Sequence, residues 1–240
     1  MRVLTLNTWG TSGPPERWPV LVESIRRLDA DILCLQEVTD TRWSEALDYP
    51  ARFHAPDSWL AILSRFPAND HRIIRYRAAS ALEPYLRELL LVRVRLESGP
   101  LWVGTTHLAW QEADEPARAA QVKELLEAVA PLKEPVLLSG DFNAAPDHRT
   151  MTQIRLAGFL DLFADLHPND PGITWDNQNR FIQSHSVRFP DRRIDYLLLQ
   201  EKAARRLVPT TCEVVCNNPT PDGLYPSDHY GVMATFRISS

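Results

Sequence analysis

Apolar and polar positions alternate from the start of the chain. Residues 3–8 read as a strand, and Trp18, Leu21, Val22, Ile25 and Leu28 then recur at helical spacing behind Pro14 and Pro15. Residues 32–38 form a short continuous apolar run, the pattern of a strand covered on both faces, and the run delivers Gln36 and Glu37 at its end. Strands are also predicted over residues 60–64, 72–77 and 86–96. In the last of these Leu90, Val92, Val94 and Leu96 share one face and Arg87 lies on the other. A strand over 101–107 leads through a helix over 117–129, built on Val122, Leu125, Leu126 and Val129, to a strand over 136–139. Residues 165–190, rich in Asn, Asp, Pro and Gln, read as a long loop, which in a compact domain is usually functional. Strands resume over 194–199, 212–216 and 231–238. Many strands with three or four helices, not strictly alternating, predict an α/β architecture of two packed sheets flanked by helices.

Composition narrows the class. At 240 residues and 44% apolar content the chain can bury a full core, and one domain over residues 1–240 is expected. It opens without a basic-then-apolar leader and contains no apolar run of bilayer length, so a cytoplasmic protein without a membrane anchor, and a monomer, is expected. Cys34, Cys212 and Cys216 cannot make a paired framework, which fits reducing surroundings and unpaired thiols. A net charge of −5 argues against holding nucleic acid on an extended basic surface, though not against a nuclease with a local basic cleft.

The chemical signal is the repeated placement of acidic and amide residues just beyond apolar strands: Asn7, Glu37, Asp141 with Asn143, Asp195, and Asp228 with His229. Adjacent strand ends gather such groups together. Hard divalent cations take oxygen ligands, and Mg²⁺ characteristically uses one or two carboxylates and keeps waters for a substrate phosphate. One carboxylate alone is more often a cap or a solvated turn; the ordered set is not explained that way.

The set falls in seven blocks: Leu6-Asn7-Thr8-Trp9-Gly10, Leu35-Gln36-Glu37-Val38, Ile62-Leu63-Ser64-Arg65-Phe66-Pro67, Thr106-His107-Leu108, Ser139-Gly140-Asp141-Phe142-Asn143, Arg193-Ile194-Asp195-Tyr196 and Ser227-Asp228-His229-Tyr230-Gly231. In content and order they resemble the endonuclease/exonuclease/phosphatase superfamily. The resemblance implies a deoxyribonuclease-I-like four-layer α/β sandwich, a Mg²⁺ or Mn²⁺ cofactor, and hydrolysis of a phosphate ester at the rim between two mixed sheets. Carried over by position, Glu37 ligates the principal metal, supported by Asn7 and Asp228, with Asp141 near the same ion. Asp141 and Asn143 border the attacking water and the phosphate. His229 takes the water's proton while Asp195 fixes its tautomer, with Asp141 as the alternative base, and His107, Asn143 and Arg87 hold the non-bridging oxygens.

Within the superfamily, the stretch Pro190-Asp191-Arg192 and the presence of His107 depart from the exonuclease III pattern. They are similar to the sphingomyelinase and 5′-tyrosyl-DNA phosphodiesterase side. A phosphodiesterase acting on a small or exposed phosphate ester is therefore expected, ahead of a DNA or RNA nuclease on extended nucleic acid and of a phosphomonoesterase on a sugar or inositol phosphate. A catalytically silent binding module is disfavoured, because no core site residue is missing. His54, His71, His148, His167 and His185 match no block and default to surface or structural roles. Trp175 is explained equally well as a loop anchor, and Arg193 is a second candidate for the reacting phosphate.

Overall fold

The computed structural model describes residues 1–239. β1 (Arg2–Asn7) and β2 (Ile32–Gln36) run parallel, with Asn7 opposite Gln36, and α1 (Arg17–Leu28) crosses between them. Side chains alternate across a strand. Leu4, Leu6, Leu33 and Leu35 therefore pack on Leu21 and Ile25 of α1, while Val3, Ile32 and Cys34 face the opposite way. Adding β3 (Ala51–Ala55), β4 (Leu60–Ser64), β11 (Leu207–Val215) and β12 (Gly231–Ile238) makes a six-stranded sheet of order β11-β12-β1-β2-β4-β3.

The second sheet takes β5 (Ala68–Arg75), β6 (Glu88–Leu96), β7 (Gly99–His107), β8 (Val136–Asp141), β9 (Phe159–Asp161) and β10 (Asp195–Gln200) in the order β5-β6-β7-β8-β10-β9. Here β7 and β8 are the parallel pair, crossed over by α2 (Glu115–Val129). Leu90, Val92, Val94 and Leu137 of this sheet meet Val3, Ile32 and Ile62 of the first in the central core. On the outer face Val122, Leu125 and Val129 of α2, with Met151 and Ile154 of α3 (Arg149–Leu156), cover Leu89, Leu91 and Leu138. Each such side chain contributes about 1.5–3 kcal/mol through burial. Helix, sheet, sheet and helix are the four layers the motifs imply.

Parallel pairing places the site. β1 and β2 end side by side, β7 and β8 end with His107 opposite Asp141, and β10 begins with Asp195 opposite Asp141. The two parallel pairs lie in different sheets, and Gln36 links them by donating to Thr105 Oγ1 at 2.7 Å, so all these ends meet at one rim.

Several boundaries differ from the sequence expectations for identifiable reasons. The last-but-one strand starts at Leu207 rather than 212, because Pro209, which breaks a strand pattern, is accommodated on this edge strand at a register shift between Pro209 and Thr211. The strand expected over 72–77 spans Ala68–Arg75, with a register shift between Ala68 and Asp70. β3, a five-residue edge strand whose apolar face is two alanines and one phenylalanine, the three-residue β9, and the short helices α3 and α4 (Leu162–Leu166) carry too short a pattern to be predicted. From residue 167 to 194 the chain holds one 3₁₀ turn, Ile182–Ser184, and an isolated antiparallel bridge between Trp175 and Arg192, as expected of the long loop. No helix among the described residues is long and apolar enough to cross a membrane.

Candidate active site

Asn7 is the hinge of the rim. Fully buried at the end of β1, it donates through Nδ2 to Glu37 Oε1 at 3.0 Å and to Asp141 Oδ2 at 3.1 Å, linking one acid from each sheet. Its Oδ1 accepts the Trp9 backbone N–H. Glu37, Trp9 and Asn143 all adopt positive φ, at 56°, 59° and 49°. Such conformations cost of order 1–3 kcal/mol each and concentrate at functional sites. Here they turn the chain sharply as each strand ends, so that the side chains face the rim.

Asp228 and His229 arrive on the loop before β12. Ser227 Oγ donates to the Asn7 carbonyl at 2.7 Å, and the buried Asn179 Nδ2 donates to the carbonyls of Ser227 and Asp228. These bonds fix the loop from both sides. His229 Nδ1 lies 3.0 Å from Asp195 Oδ2, both residues being buried. The Asp195 carboxylate orients the ring, so Nε2 is turned toward the cleft, 3.7 Å from Asp141 Oδ2. His107 Nε2 approaches the same oxygen at 3.4 Å. Trp175 packs edge-on against His229, ring centroids 5.0 Å apart, and closes one side of the dyad to water.

The electrostatics follow from gathering acids in a dry place. Burial raises the Glu37 carboxyl, and the like charge of Asp228 raises it further. Burial also raises Asp141, opposed by the charge of His229 and assisted by that of Asp195. Burial works against an imidazolium at His229, but the charges of Asp195 and Asp141 and the Asp195 hydrogen bond outweigh it, so its basicity rises. His107 is pushed the other way, by burial and then by Arg87 and His229, and stays neutral.

This donor set suits a hard divalent cation. Glu37, Asp228 and Asp141 offer carboxylate oxygens, Asn7 holds two of the three acids in place, and a cation would offset both the burial and the Asp228 charge that raise the Glu37 carboxyl. Asp141, Asp195 and His229 also bring ligand atoms within 4.8 Å of one another. The Asp195 contact to Nδ1 makes that trio a hydrogen-bonded relay.

Nine of the ten residues singled out in the sequence come to the rim, and Glu37, Arg87, His107, Asp141, Asn143, Asp228 and His229 line one cleft of about 300 Å³. Two assignments need correction. Arg193 does not reach the cleft: it is buried with both Asp161 oxygens at 2.8 Å. His185, for which a surface or structural role was expected, lines the cleft with Nε2 3.0 Å from Asp228 Oδ2, its ring between Trp9 and Trp175. Arg87 does line the cleft, but it already forms a two-bond ion pair with Glu83, at 2.7 and 3.0 Å. Sequence reasoning also missed Arg17, fully buried, whose guanidinium donates to the carbonyls of Thr8, Trp9, Gly10, Ser12 and Pro226. A lone arginine in a first helical turn gives no signal of this.

A model of the Endonuclease/Exonuclease/phosphatase family matches residues 4–229. The chain belongs to this family. A curated relative, the uncharacterized protein YbhP of Escherichia coli strain K12, is 26% identical over 219 residues, covering 78% of each chain. An uncharacterized protein of Caenorhabditis elegans is 29% identical over 128 residues, 42% of this chain and 40% of that one. The crystal structure of D. rerio TDP2 complexed with a single-strand DNA product superimposes with a TM-score of 0.81 at 20% identity, over 99% of this chain and 98% of that one. The likeness shows the shared deoxyribonuclease-I-like fold.

Proposed function

We propose that this family member is a divalent-metal-dependent phosphodiesterase in which the His229–Asp195 dyad activates water. The observation that carries the reading is the convergence, on one cleft, of an oxygen-rich acid cluster and an oriented histidine whose Nε2 is turned toward the cleft. Glu37 and Asp228, with Asn7 and Asp141 beside them, would hold Mg²⁺ or Mn²⁺. A bound ion would polarise a phosphate oxygen and offset the negative charge that keeps His229 protonated.

Phosphoryl transfer needs positioning and charge neutralisation more than covalent help from the protein. Neutral His107, beside Asp141, and the amide of Asn143 would hold the non-bridging oxygens. Asn143 is itself fixed by donating Nδ2 to the Leu108 carbonyl and its backbone N–H to Asp141 Oδ1. His229 Nε2 takes the proton of a water directed at phosphorus, and Asp195 on Nδ1 stabilises the imidazolium that forms.

A small or exposed diester is the favoured substrate class, because a net charge of −5 argues against the row of phosphate contacts a duplex requires. Single-stranded nucleic acid is the second reading. It is favoured by the aromatic cleft wall of Trp9, Trp59, Tyr85, Trp110, Trp175 and Phe189, on which bases can stack. Purified protein assayed with Mg²⁺ or Mn²⁺ against bis-p-nitrophenyl phosphate, a monoester, and single- and double-stranded DNA tests the reading. Turnover of diesters with weak salt dependence is expected. Preference for the monoester, or steeply salt-dependent duplex cleavage, would overturn it.

A further inference from the structure

Of the two arginines that line the cleft, Arg87 and Arg192, the first is neutralised by Glu83. The neighbouring arginines outside it are also committed. Arg193 is held by Asp161, and Arg118 by Glu115 and the carbonyls of Ala109 and Gln111. Arg192 differs. Among the described residues its side chain enters no ion pair, and its buried Nε has no hydrogen-bond partner.

Its position is nonetheless built. The backbone is clamped on Trp175 by reciprocal bonds of 2.9 and 3.0 Å, with the Thr174 N–H also donating to the Arg192 carbonyl. The guanidinium lies 4.0 Å over the Phe189 ring, which sets its plane. Phe189 in turn packs edge-on against Trp110 and Trp175. Arg192 and Asp141 line the same cleft, and the Asp141 charge acts on the guanidinium against the cost of its burial. A partly desolvated, oriented guanidinium without a protein acceptor is suited to a planar oxyanion, which it can grip with two parallel bonds.

We propose that Arg192, backed by Phe189 and Trp110, is a second anion subsite that takes a phosphate group flanking the scissile one. This deepens the reading of the cleft as a phosphodiesterase site and rests on it. The preferred substrate is then a diester carrying another phosphate nearby, either the next diester of a short oligonucleotide or a terminal phosphate on a nucleotide unit. The acid cluster alone would repel such a group.

The experiment compares a dinucleoside monophosphate with its 5′- and 3′-phosphorylated forms and with a trinucleoside diphosphate. Wild type is expected to prefer at least one added phosphate by roughly 10- to 100-fold in kcat/KM, the span of a charge-assisted hydrogen bond, mostly through KM. Which compound is preferred separates a terminal phosphate from a neighbouring diester. Arg192→Gln should bring the ratio to within about twofold, and Arg192→Lys, with the charge but not the fork, should keep part of it. No preference in the wild type, or an unchanged ratio in Arg192→Gln, would overturn the subsite. Binding of the same compounds to His229→Ala protein with Mg²⁺, measured by calorimetry with and without Arg192→Gln, reads the subsite without turnover. If no diester is hydrolysed, the phosphodiesterase reading fails on its own. The subsite stands if Arg192→Gln weakens binding of a phosphorylated dinucleotide about tenfold, and falls if binding is absent or equal.

Discussion

Replacing Asp195 by Asn tests whether His229 works alone or as half of a pair. The Asp195 Oδ2 to His229 Nδ1 contact is 3.0 Å long and fully buried, so it is a charge-assisted bond in a dry setting. Such bonds contribute about 1.5–3 kcal/mol, which corresponds to a rate loss of roughly 10- to 150-fold if the whole contribution is made in the transition state. His229→Ala removes the base itself and should cost on the order of 10²–10⁴. Because Asp195 acts only through His229, the double variant should be no slower than His229→Ala by more than about threefold. The assay is kcat/KM for bis-p-nitrophenyl phosphate at fixed Mn²⁺, with circular dichroism confirming that each variant is folded. If the two losses multiplied, the residues would be acting independently. Asp141, which His229 Nε2 approaches at 3.7 Å, would then become the stronger candidate base.

The remaining expectations concern stability and reactivity. Gly140→Ala should prevent folding or cost at least about 3 kcal/mol in urea unfolding, because φ is +134° and an added Cβ would lie 2.0 Å from the Thr106 carbonyl oxygen. Gly104→Ala should cost less, since its closest neighbours are methyl groups of Leu138 and Leu91 at 2.9 Å, and the reverse ranking would refute the argument. Arg17→Met should destabilise by about 3–5 kcal/mol by leaving buried carbonyls unpaired, and a loss under about 1 kcal/mol would show that water replaces the guanidinium. Burial pushes the Cys34 thiol from 9.0 up to about 12. Its folded-state value is above its unfolded one, so the stability it contributes is complete below about pH 9 and is lost as pH rises through about 12. Thiol titration at pH 8 should therefore leave Cys34 unreacted until denaturant is added, and fast modification in the folded protein would contradict its burial.

The parts of the molecule legible in the sequence are those set by local periodicity. β1, β2, β7 and β8 are buried on both faces, so their apolar runs end abruptly at Asn7, Glu37, His107 and Asp141, and the change of polarity marks the rim. What the sequence did not disclose depends on distant partners. His185 looks like any polar loop residue until the chain folds it against Asp228, 43 residues away. Arg87, Arg192 and Arg193 are chemically identical in the sequence, and Glu83, Asp161 and, for Arg192, the absence of an acceptor among the described residues distinguish them in space. Arg17 stitches together the carbonyls of two segments that lie more than 200 residues apart.

The central claim is that Glu37 and its neighbours hold a divalent ion on which diester hydrolysis depends. The direct measurement is hydrolysis of bis-p-nitrophenyl phosphate by exhaustively chelated protein, before and after adding back Mg²⁺ or Mn²⁺, for the wild type and Glu37→Gln. In parallel, Mn²⁺ binding is followed by electron paramagnetic resonance. The account predicts no activity after chelation, recovery in the wild type, and at least tenfold weaker Mn²⁺ binding with little recovery in Glu37→Gln, since a charged oxygen ligand is lost. Full activity after chelation, or unchanged Mn²⁺ affinity in Glu37→Gln, would contradict it.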